Sequence, residues 1–142
     1  MSEIRMSSEK LSKNPASIGT SALAYMGDAV YEQYIREHLI GRGAEDVHKL
    51  HMEATHYVKA ASQAKVIKTI FDDLSQEDQT LVKRARNKKP VTKAKNADPL
   101  DYRWATAFEA LVGYRYLAGQ KEELDSLIER AIDILEQSEV AR

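Results

Sequence analysis

The apolar residues of this 142-residue chain recur at the three-to-four-residue spacing of amphipathic helices. The clearest example is KEELDSLIERAIDILEQ near the C-terminus, where apolar residues form one stripe and charged residues take the opposite face. No segment alternates for long with a period of two, and no Asn-Gly or Asp-Gly pair marks a hairpin. The pattern therefore predicts an all-α fold, a bundle of helices. The stripe of the last helix consists of Leu124, Leu127, Ile128, Ala131, Ile134 and Leu135.

Start and stop signals divide the first half of the chain into two long helices. The first is predicted to begin at residue 17 or 20 and to end at residue 39, before GRG, where Gly41 and Gly43 can take left-handed conformations. The second is predicted over residues 46–71, because its apolar residues keep helical spacing without a break. Those residues are Val47, Leu50, Ala54, Val58 and Ala61.

Three more helices are predicted in the second half. Ser75 is the expected N-cap of the third helix, and Pro90 stops it after a basic stretch. Asp98 followed by Pro99 is typical of an N-cap and first helical position, so a fourth helix is predicted from there to about Ala118, closed by Gly119. The last helix follows. We expect a single domain over residues 16–142, preceded by a flexible tail over residues 1–15.

The composition is that of a globular protein, with 43% hydrophobic and 30% charged residues. The absence of cysteine excludes disulfides and thiolate metal sites. The N-terminus is polar rather than apolar, so no signal peptide is predicted, and no apolar run reaches the roughly 18 residues that span a bilayer. We therefore expect a cytoplasmic protein without membrane contact.

Positive charge is concentrated in one short stretch, residues 83–95, which holds seven of the 21 lysines and arginines and no acid. Removing those seven leaves 14 basic residues against 22 acidic ones. A mildly acidic body with one basic segment indicates contact with a polyanion.

Two acids stand alone in otherwise uncharged stretches of their helices. Asp28 is the only charged residue between Asn14 and Tyr31, and Glu109 is the only one between Arg103 and Arg115. Each lies near a glycine inside its helix, which indicates close approach of another backbone. If the two helices pack together, the repulsion of two partly buried anions requires a neutraliser.

Three neutralisers are possible: protonation of one acid, pairing with basic side chains, or a bridging divalent metal. With oxygen ligands and no cysteine, a hard ion such as Mg²⁺ is favoured, and it needs only one or two protein carboxylates. Water activated by such a metal is a nucleophile at neutral pH. The basic segment would then bind a phosphodiester substrate.

The motifs ALAYMGDAVYE and TAFEALVGYRYL, in this order and about eighty residues apart, closely resemble the ribonuclease III catalytic domain. In particular they resemble its short bacterial branch, Mini-ribonuclease III. The resemblance implies the fold of that endonuclease domain and a homodimer that cuts both strands of double-stranded RNA with Mg²⁺. It implies that Asp28 and Glu109 are the catalytic, metal-binding acids. It further implies maturation of the ends of precursor 23S ribosomal RNA, with a ribosomal protein or pre-ribosomal particle as a possible partner.

The chain departs from full-length ribonucleases III in two ways. Those enzymes carry acids where this chain has Ser21, Ala24 and Thr106, so we expect fewer carboxylates and more water around the metal. We also expect no C-terminal double-stranded-RNA-binding domain, which leaves RNA affinity to the catalytic body. A-form RNA is read through phosphates and 2′-hydroxyls. The residues predicted to supply those contacts are Arg84, Arg86, Asn87, Lys88, Lys89, Lys93 and Lys95.

Other residues and functions are alternatives to this interpretation. His48, His51 and His56 could form a zinc site, although this spacing on a polar helix is more typical of a surface. Glu32 could join the metal shell through water, and Tyr102 and Arg103 could approach a phosphate. Two other functions remain open: a catalytically silent RNA-binding protein of the same fold, and a helical metal-dependent nucleotide phosphohydrolase.

Overall fold

The computed structural model describes residues 14–90 and 98–140. Within them, six α-helices and two short 3-10 turns account for the regular structure, with no strand, which confirms the all-α prediction. None of these helices is long and apolar enough to cross a membrane. Residues 1–13 of the predicted tail lie outside the described residues. The helices are α1 (Thr20–Gly41), α2 (Val47–Val58), α3 (Ala60–Ile70), α4 (Gln76–Asn87), α5 (Pro99–Leu117) and α6 (Lys121–Val140).

The predicted helix caps are present. The Asp98 side chain accepts hydrogen bonds from the backbone amides of residues 100 and 101. Ser75 caps α4 because its hydroxyl accepts a hydrogen bond from the Asp78 amide at 3.1 Å. After α1 only Gly43 takes a left-handed conformation (φ 100°), because Gly41 is still helical. The left-handed turn after α1 therefore forms at the second of the two glycines.

The single helix predicted over residues 46–71 is wrong, because the chain breaks at Lys59, which is extended (ψ 156°) between α2 and α3. Side chains form hydrogen bonds with the carbonyl groups that the break leaves without a helical partner. Ser62 Oγ donates to the His56 carbonyl at 2.6 Å, and Gln63 Nε2 donates to the Val58 carbonyl at 2.7 Å. Apolar spacing continues across the break, so periodicity alone does not reveal it.

Helix α5 is the centre of the molecule, with α1, α3, α4 and α6 packed around it. Apolar residues occur on all its sides rather than on one face, as expected for a buried helix. Phe108 is fully buried and receives the ring of Tyr31 edge-on, with centroids 4.9 Å apart. The apolar stripe of α6 covers one flank: Leu124, Leu127, Ile128, Ala131 and Leu135 are buried, and Ile134 is partly buried.

Helices α1 and α5 meet backbone to backbone at two glycines. A Cβ atom added to Gly27 would lie 1.8 Å from the carbonyl oxygen of Glu109, and one added to Gly113 would lie 1.9 Å from the carbonyl oxygen of Leu23. No side chain larger than hydrogen fits at either position. The contact sets the residue after Gly27, Asp28, beside the helix that carries Glu109.

Replacing Gly27 with alanine should lower the free energy of unfolding by about 3 kcal/mol or more, because the new methyl group forces two backbones apart. Urea denaturation followed by far-UV circular dichroism measures this change. Gly41→Ala is the matched control, since nothing lies within 4 Å of its added Cβ. That variant should stay within about 1 kcal/mol of wild type. Equal stability of the two variants would contradict the tight helix contact.

Candidate active site

Asp28 on α1 and Glu109 on α5 line the same cleft, and the charge of Asp28 lies close enough to raise the pKa of the Glu109 carboxyl group. Asp28 is exposed, whereas Glu109 is partly buried. Both line one cleft between α1, the end of α4 and the first turns of α5. The structure therefore brings the two lone acids of the sequence into a single site.

The two carboxyl groups disturb each other electrostatically. Burial is the main reason that the pKa of Glu109 rises to about 8, and the negative charge of Asp28 and its hydrogen bond raise it further. The charge of Glu32 adds to the rise, while a hydrogen bond from the Gln63 side chain opposes it. Without a cation, the pair therefore holds one proton at neutral pH.

No basic side chain neutralises this pair within residues 14–90 and 98–140, since none of the ion pairs formed there includes Asp28 or Glu109. Of the three possible neutralisers, protonation and a metal ion are consistent with this geometry. In the described part of the chain, no three or more His, Asp or Glu residues gather into a metal-binding group. Two oxygen ligands fit Mg²⁺, which keeps most of its water shell.

The positions that lack acids relative to full-length ribonucleases III border this cleft. Ser21, Ala24 and Thr106 all line it. The Thr106 hydroxyl donates to the Tyr102 carbonyl at 2.9 Å, so its hydrogen is committed to its own helix. The cleft consequently presents two carboxylates together with small uncharged side chains.

Part of the predicted RNA-binding set lies at the mouth of this cleft. Lys88 and Lys89 follow α4, are exposed, and line the cleft together with Arg103 from α5. A positive rim thus faces the two acids. Arg84, Asn87 and Lys88 also border a shallow depression beside Gly19 and Thr20. Lys93 and Lys95 lie outside the described residues.

Arg86 differs from Lys88 and Lys89 because its guanidinium packs onto an aromatic ring of α5. Its guanidinium lies 4.9 Å from the ring centroid of Trp104, and its Nε donates to the Asn87 side chain at 2.9 Å. The contact with Trp104 ties the end of α4 to α5, directly before Lys88 and Lys89.

The histidines of α2 do not belong to this site. His48, His51 and His56 are exposed, and no metal-binding group forms around them within the described residues. Glu32 lies close enough to raise the pKa of Glu109, but its carboxylate pairs with Arg36 at 3.2 Å.

Sequence reasoning missed two residues near the site. Gln63 of α3 is 2% exposed and lies close enough to the Glu109 carboxyl group to lower its pKa. The sequence gives no clear signal for it, because Gln63 is one of several polar side chains in AASQAKVIKTI. Tyr25, one turn before Asp28, is 84% exposed although its neighbours in sequence are small or apolar. Its spacing from the apolar residues of α1 resembles that of a core residue, so the periodicity does not reveal that Tyr25 is exposed.

Comparison with known proteins agrees with the family resemblance of the two sequence motifs. Residues 21–120 match the Ribonuclease III domain family. The chain is 44% identical to "Mini-ribonuclease 3" of Brevibacillus brevis, over 92% of this chain and 98% of that protein. It is 43% identical to the protein of the same name from Symbiobacterium thermophilum, over 89% and 97% of the two chains. A crystal structure of a protein from Fusobacterium nucleatum superposes with a TM-score of 0.77 at 31% identity, covering 86% of this chain and 98% of the other.

The raised pKa of Glu109 predicts a specific pH dependence of stability in the presence of chelator. The folded protein holds this proton up to a pKa of about 8, whereas the ordinary value is 4.5. Stability is therefore lost as the pH rises from 4.5 towards 8 and then levels off. Thermal unfolding in EDTA between pH 5 and pH 9 measures this loss.

Glu109→Gln is the matched variant, because its neutral amide imitates the protonated acid. Its melting temperature should change less over the same pH range and exceed that of wild type at the alkaline end. About 4 °C corresponds to 1 kcal/mol for a domain of this size. Parallel pH profiles for the two proteins would show that Glu109 titrates at its ordinary pKa.

Proposed function

Since this chain belongs to the ribonuclease III family, in its Mini-ribonuclease III branch, we propose that Asp28 and Glu109 form the Mg²⁺ site of an endoribonuclease that cuts double-stranded RNA. One observation carries this proposal: the two acids share a site without a basic partner among the described residues, inside a cleft with a positive rim. A divalent cation satisfies both carboxylates at once.

The side chains of the site divide the chemistry between them. When bound, Mg²⁺ supplies positive charge near the scissile phosphate and lowers the pKa of water. Asp28 and Glu109 hold it, and Glu109 gives up its proton to do so, because a carboxylic acid is a poor ligand for a cation. The small residues Ser21, Ala24 and Thr106 leave room beside the acids for the phosphate backbone.

The basic rim provides the RNA contacts. Lys88, Lys89 and Arg103 bind phosphates on either side of the cut, as suits a ligand read by its backbone rather than by its bases. Arg84 and Asn87 extend this surface towards the start of α1. Arg86 contributes by anchoring the segment on Trp104.

The active enzyme is a homodimer, in which a two-fold axis sets two sites on opposite strands. Helix α1 supplies the interface. Its exposed face carries Tyr25, Ala29 and Ile40, of which Tyr25 is 84% and Ile40 56% exposed. Next to Ile40, the apolar side chains of α2 leave an open groove against α1, with Val47 78% exposed. Exposed apolar side chains next to such a groove favour association.

The physiological substrate is a double-stranded stem of precursor 23S ribosomal RNA, cut at both ends of the mature sequence in the cytoplasm. The relatives named above carry the name of the branch to which this role belongs. A pre-ribosomal particle, with its ribosomal proteins, would present that stem. End-mapping of a precursor transcript treated with the purified protein and Mg²⁺ tests this substrate.

Asp28→Asn and Glu109→Gln should each lower the rate of double-stranded RNA cleavage at least a hundredfold, because each removes one of two metal ligands. Denaturing gels of a labelled duplex, with Mg²⁺ or EDTA, measure the rate. Asp133→Asn and Glu129→Gln make the same chemical changes on exposed positions of α6 and should cut like wild type. Light scattering should give twice the chain mass of 16.0 kDa for all of them. Cleavage by either site variant at the wild-type rate would refute the site, and a monomeric mass would refute the dimer.

The double variant Lys88→Ala/Lys89→Ala should weaken RNA binding and make it less dependent on salt. Each lost phosphate contact lowers the slope of log affinity against log salt by about one unit. Fluorescence anisotropy with Ca²⁺ in place of Mg²⁺ measures binding without cleavage. The control Lys49→Ala/Lys59→Ala removes the same charge from exposed positions of α2 and the α2–α3 break. Equal slopes for both double variants would remove these lysines from the RNA-binding surface.

A further inference from the structure

The N-terminus of α1 has no side-chain cap within the described residues. Its N-cap residue is Gly19, which has no side-chain oxygen to offer, and no acid follows in the first turn. Helices α2, α4 and α5 begin differently, because the side chains of Asp46, Ser75 and Asp98 accept hydrogen bonds from first-turn amides. The positive end of the α1 dipole therefore lacks the compensation that these other helices have.

The amides of this first turn have no acceptor in the described part of the chain. The first intrahelical bond of α1 runs from the Leu23 amide to the Gly19 carbonyl at 3.0 Å, and the amides of residues 20–22 donate to no loop or side chain there. Such amides at a helix N-terminus are suited to bind an anion, above all a phosphate group.

Thr20 supplies a second free donor at the same place. Only 5% of Thr20 is exposed, yet its hydroxyl forms no hydrogen bond within residues 14–90 and 98–140. Packing alone does not explain this hydroxyl, because valine has the same shape and needs no partner. Thr20 lines both the candidate active-site cleft and the shallow depression beside it. The threonines deeper in their helices all donate to the carbonyl four residues earlier; these are Thr55, Thr69, Thr80 and Thr106.

The other residues around this depression are basic or polar. Arg84, Asn87 and Lys88 line it together with the start of α1, and no acid is among its lining residues. Arg84 and Lys88 form no ion pair in the described part of the chain. The oxygen of the Asn87 side chain accepts from Arg86 Nε at 2.9 Å, which leaves its nitrogen as a donor. The depression thus combines two positive charges with several hydrogen-bond donors, a set that suits a phosphate group.

We propose that the start of α1 and the end of α4 form a phosphate subsite, in which the Thr20 hydroxyl and the first-turn amides bind one backbone phosphate of the double-stranded RNA. This inference rests on the proposed function. Thr20 and Lys88 border both the cleft and the depression, so the bound phosphate lies along the same strand as the one that is cut. Contacts from main-chain donors fix the position of that strand without reading its sequence.

Thr20→Val tests the hydroxyl. The subsite predicts about tenfold weaker binding of a labelled RNA duplex, measured by fluorescence anisotropy with Ca²⁺, because one hydrogen bond to the phosphate is lost. The melting temperature should stay at or above that of wild type, since the hydroxyl has no partner in the described fold. Thr69→Val is the matched control, because the Thr69 hydroxyl donates to the Lys65 carbonyl at 2.7 Å, and it should bind the duplex like wild type.

Gly19→Asp tests the helix end, because it changes stability and RNA binding in different directions. Nothing lies within 4 Å of a Cβ atom added at Gly19, and its φ of −62° is open to any residue. An aspartate there caps the first turn, so the melting temperature should not fall. The same carboxylate takes the place of the phosphate and repels it, so RNA binding should weaken at least tenfold. Ser126→Asp adds the same charge at an exposed position of α6 and should bind like wild type.

The outcomes separate the subsite from the proposed function. If wild-type protein binds and cuts the duplex, and Thr20→Val and Gly19→Asp bind it as tightly as their controls, the subsite is overturned and the proposed function stands. Wild-type protein that neither binds nor cuts the duplex would overturn the proposed function itself.

A measurement on the wild-type protein decides the matter if either variant is unstable. The backbone amide signals of residues 20–22 in a nitrogen-15 NMR spectrum should shift when the RNA duplex is added with Ca²⁺. The amides of residues 76–78, at the start of α4, are the internal control, because Ser75 caps that helix. Signals of residues 20–22 that move no more than these would contradict the subsite. Movement with inorganic phosphate but not with the duplex would assign the site to a free anion and overturn its role in RNA binding.

Discussion

The close approach of α1 and α5 at Gly27 and Gly113 is the contact on which the rest of the structure depends. It lets two backbones touch where side chains normally separate them, and it does so in the centre of the molecule, since α5 is the helix around which the others pack. The same contact sets Asp28 against Glu109. The packing of the helices and the geometry of the site therefore share one cause, the absence of side chains at these two glycines.

The site that results is electrostatically unfavourable on its own. The raised pKa of Glu109 measures how poorly a second negative charge is accommodated next to Asp28. A protein selected for stability alone gains nothing from this arrangement. The repulsion between the two carboxylates is relieved only when a proton or a cation neutralises part of their charge. The site therefore favours the binding of a positive ion. Gln63, which favours the ionised form of Glu109, works in the same direction.

Much of this could be predicted from the sequence, and the exceptions have physical reasons. The lone acids were visible because charge is rare inside apolar helices, and the caps Ser75 and Asp98 follow local rules. The break at Lys59 was not visible, because apolar spacing runs through it and the bonds that repair it come from Ser62 and Gln63 side chains. Gln63 escaped notice for a related reason: its partner lies on another helix, and only the folded chain brings the two together. The roles of Asp28, Glu109 and the basic residues remain predictions.

Glu109 belongs to both the helix contact and the candidate site, since its carbonyl oxygen packs against Gly27 while its side chain lines the cleft with Asp28. Any displacement of the helices that widened the space between the acids would also break up the densest part of the interior. Variation of this scaffold, in nature or by engineering, is thereby confined to the walls of the cleft. Exchanging Ser21, Ala24 or Thr106 for acids would change the charge of the cleft, whereas the placement of Asp28 and Glu109 is fixed by the contact between their helices.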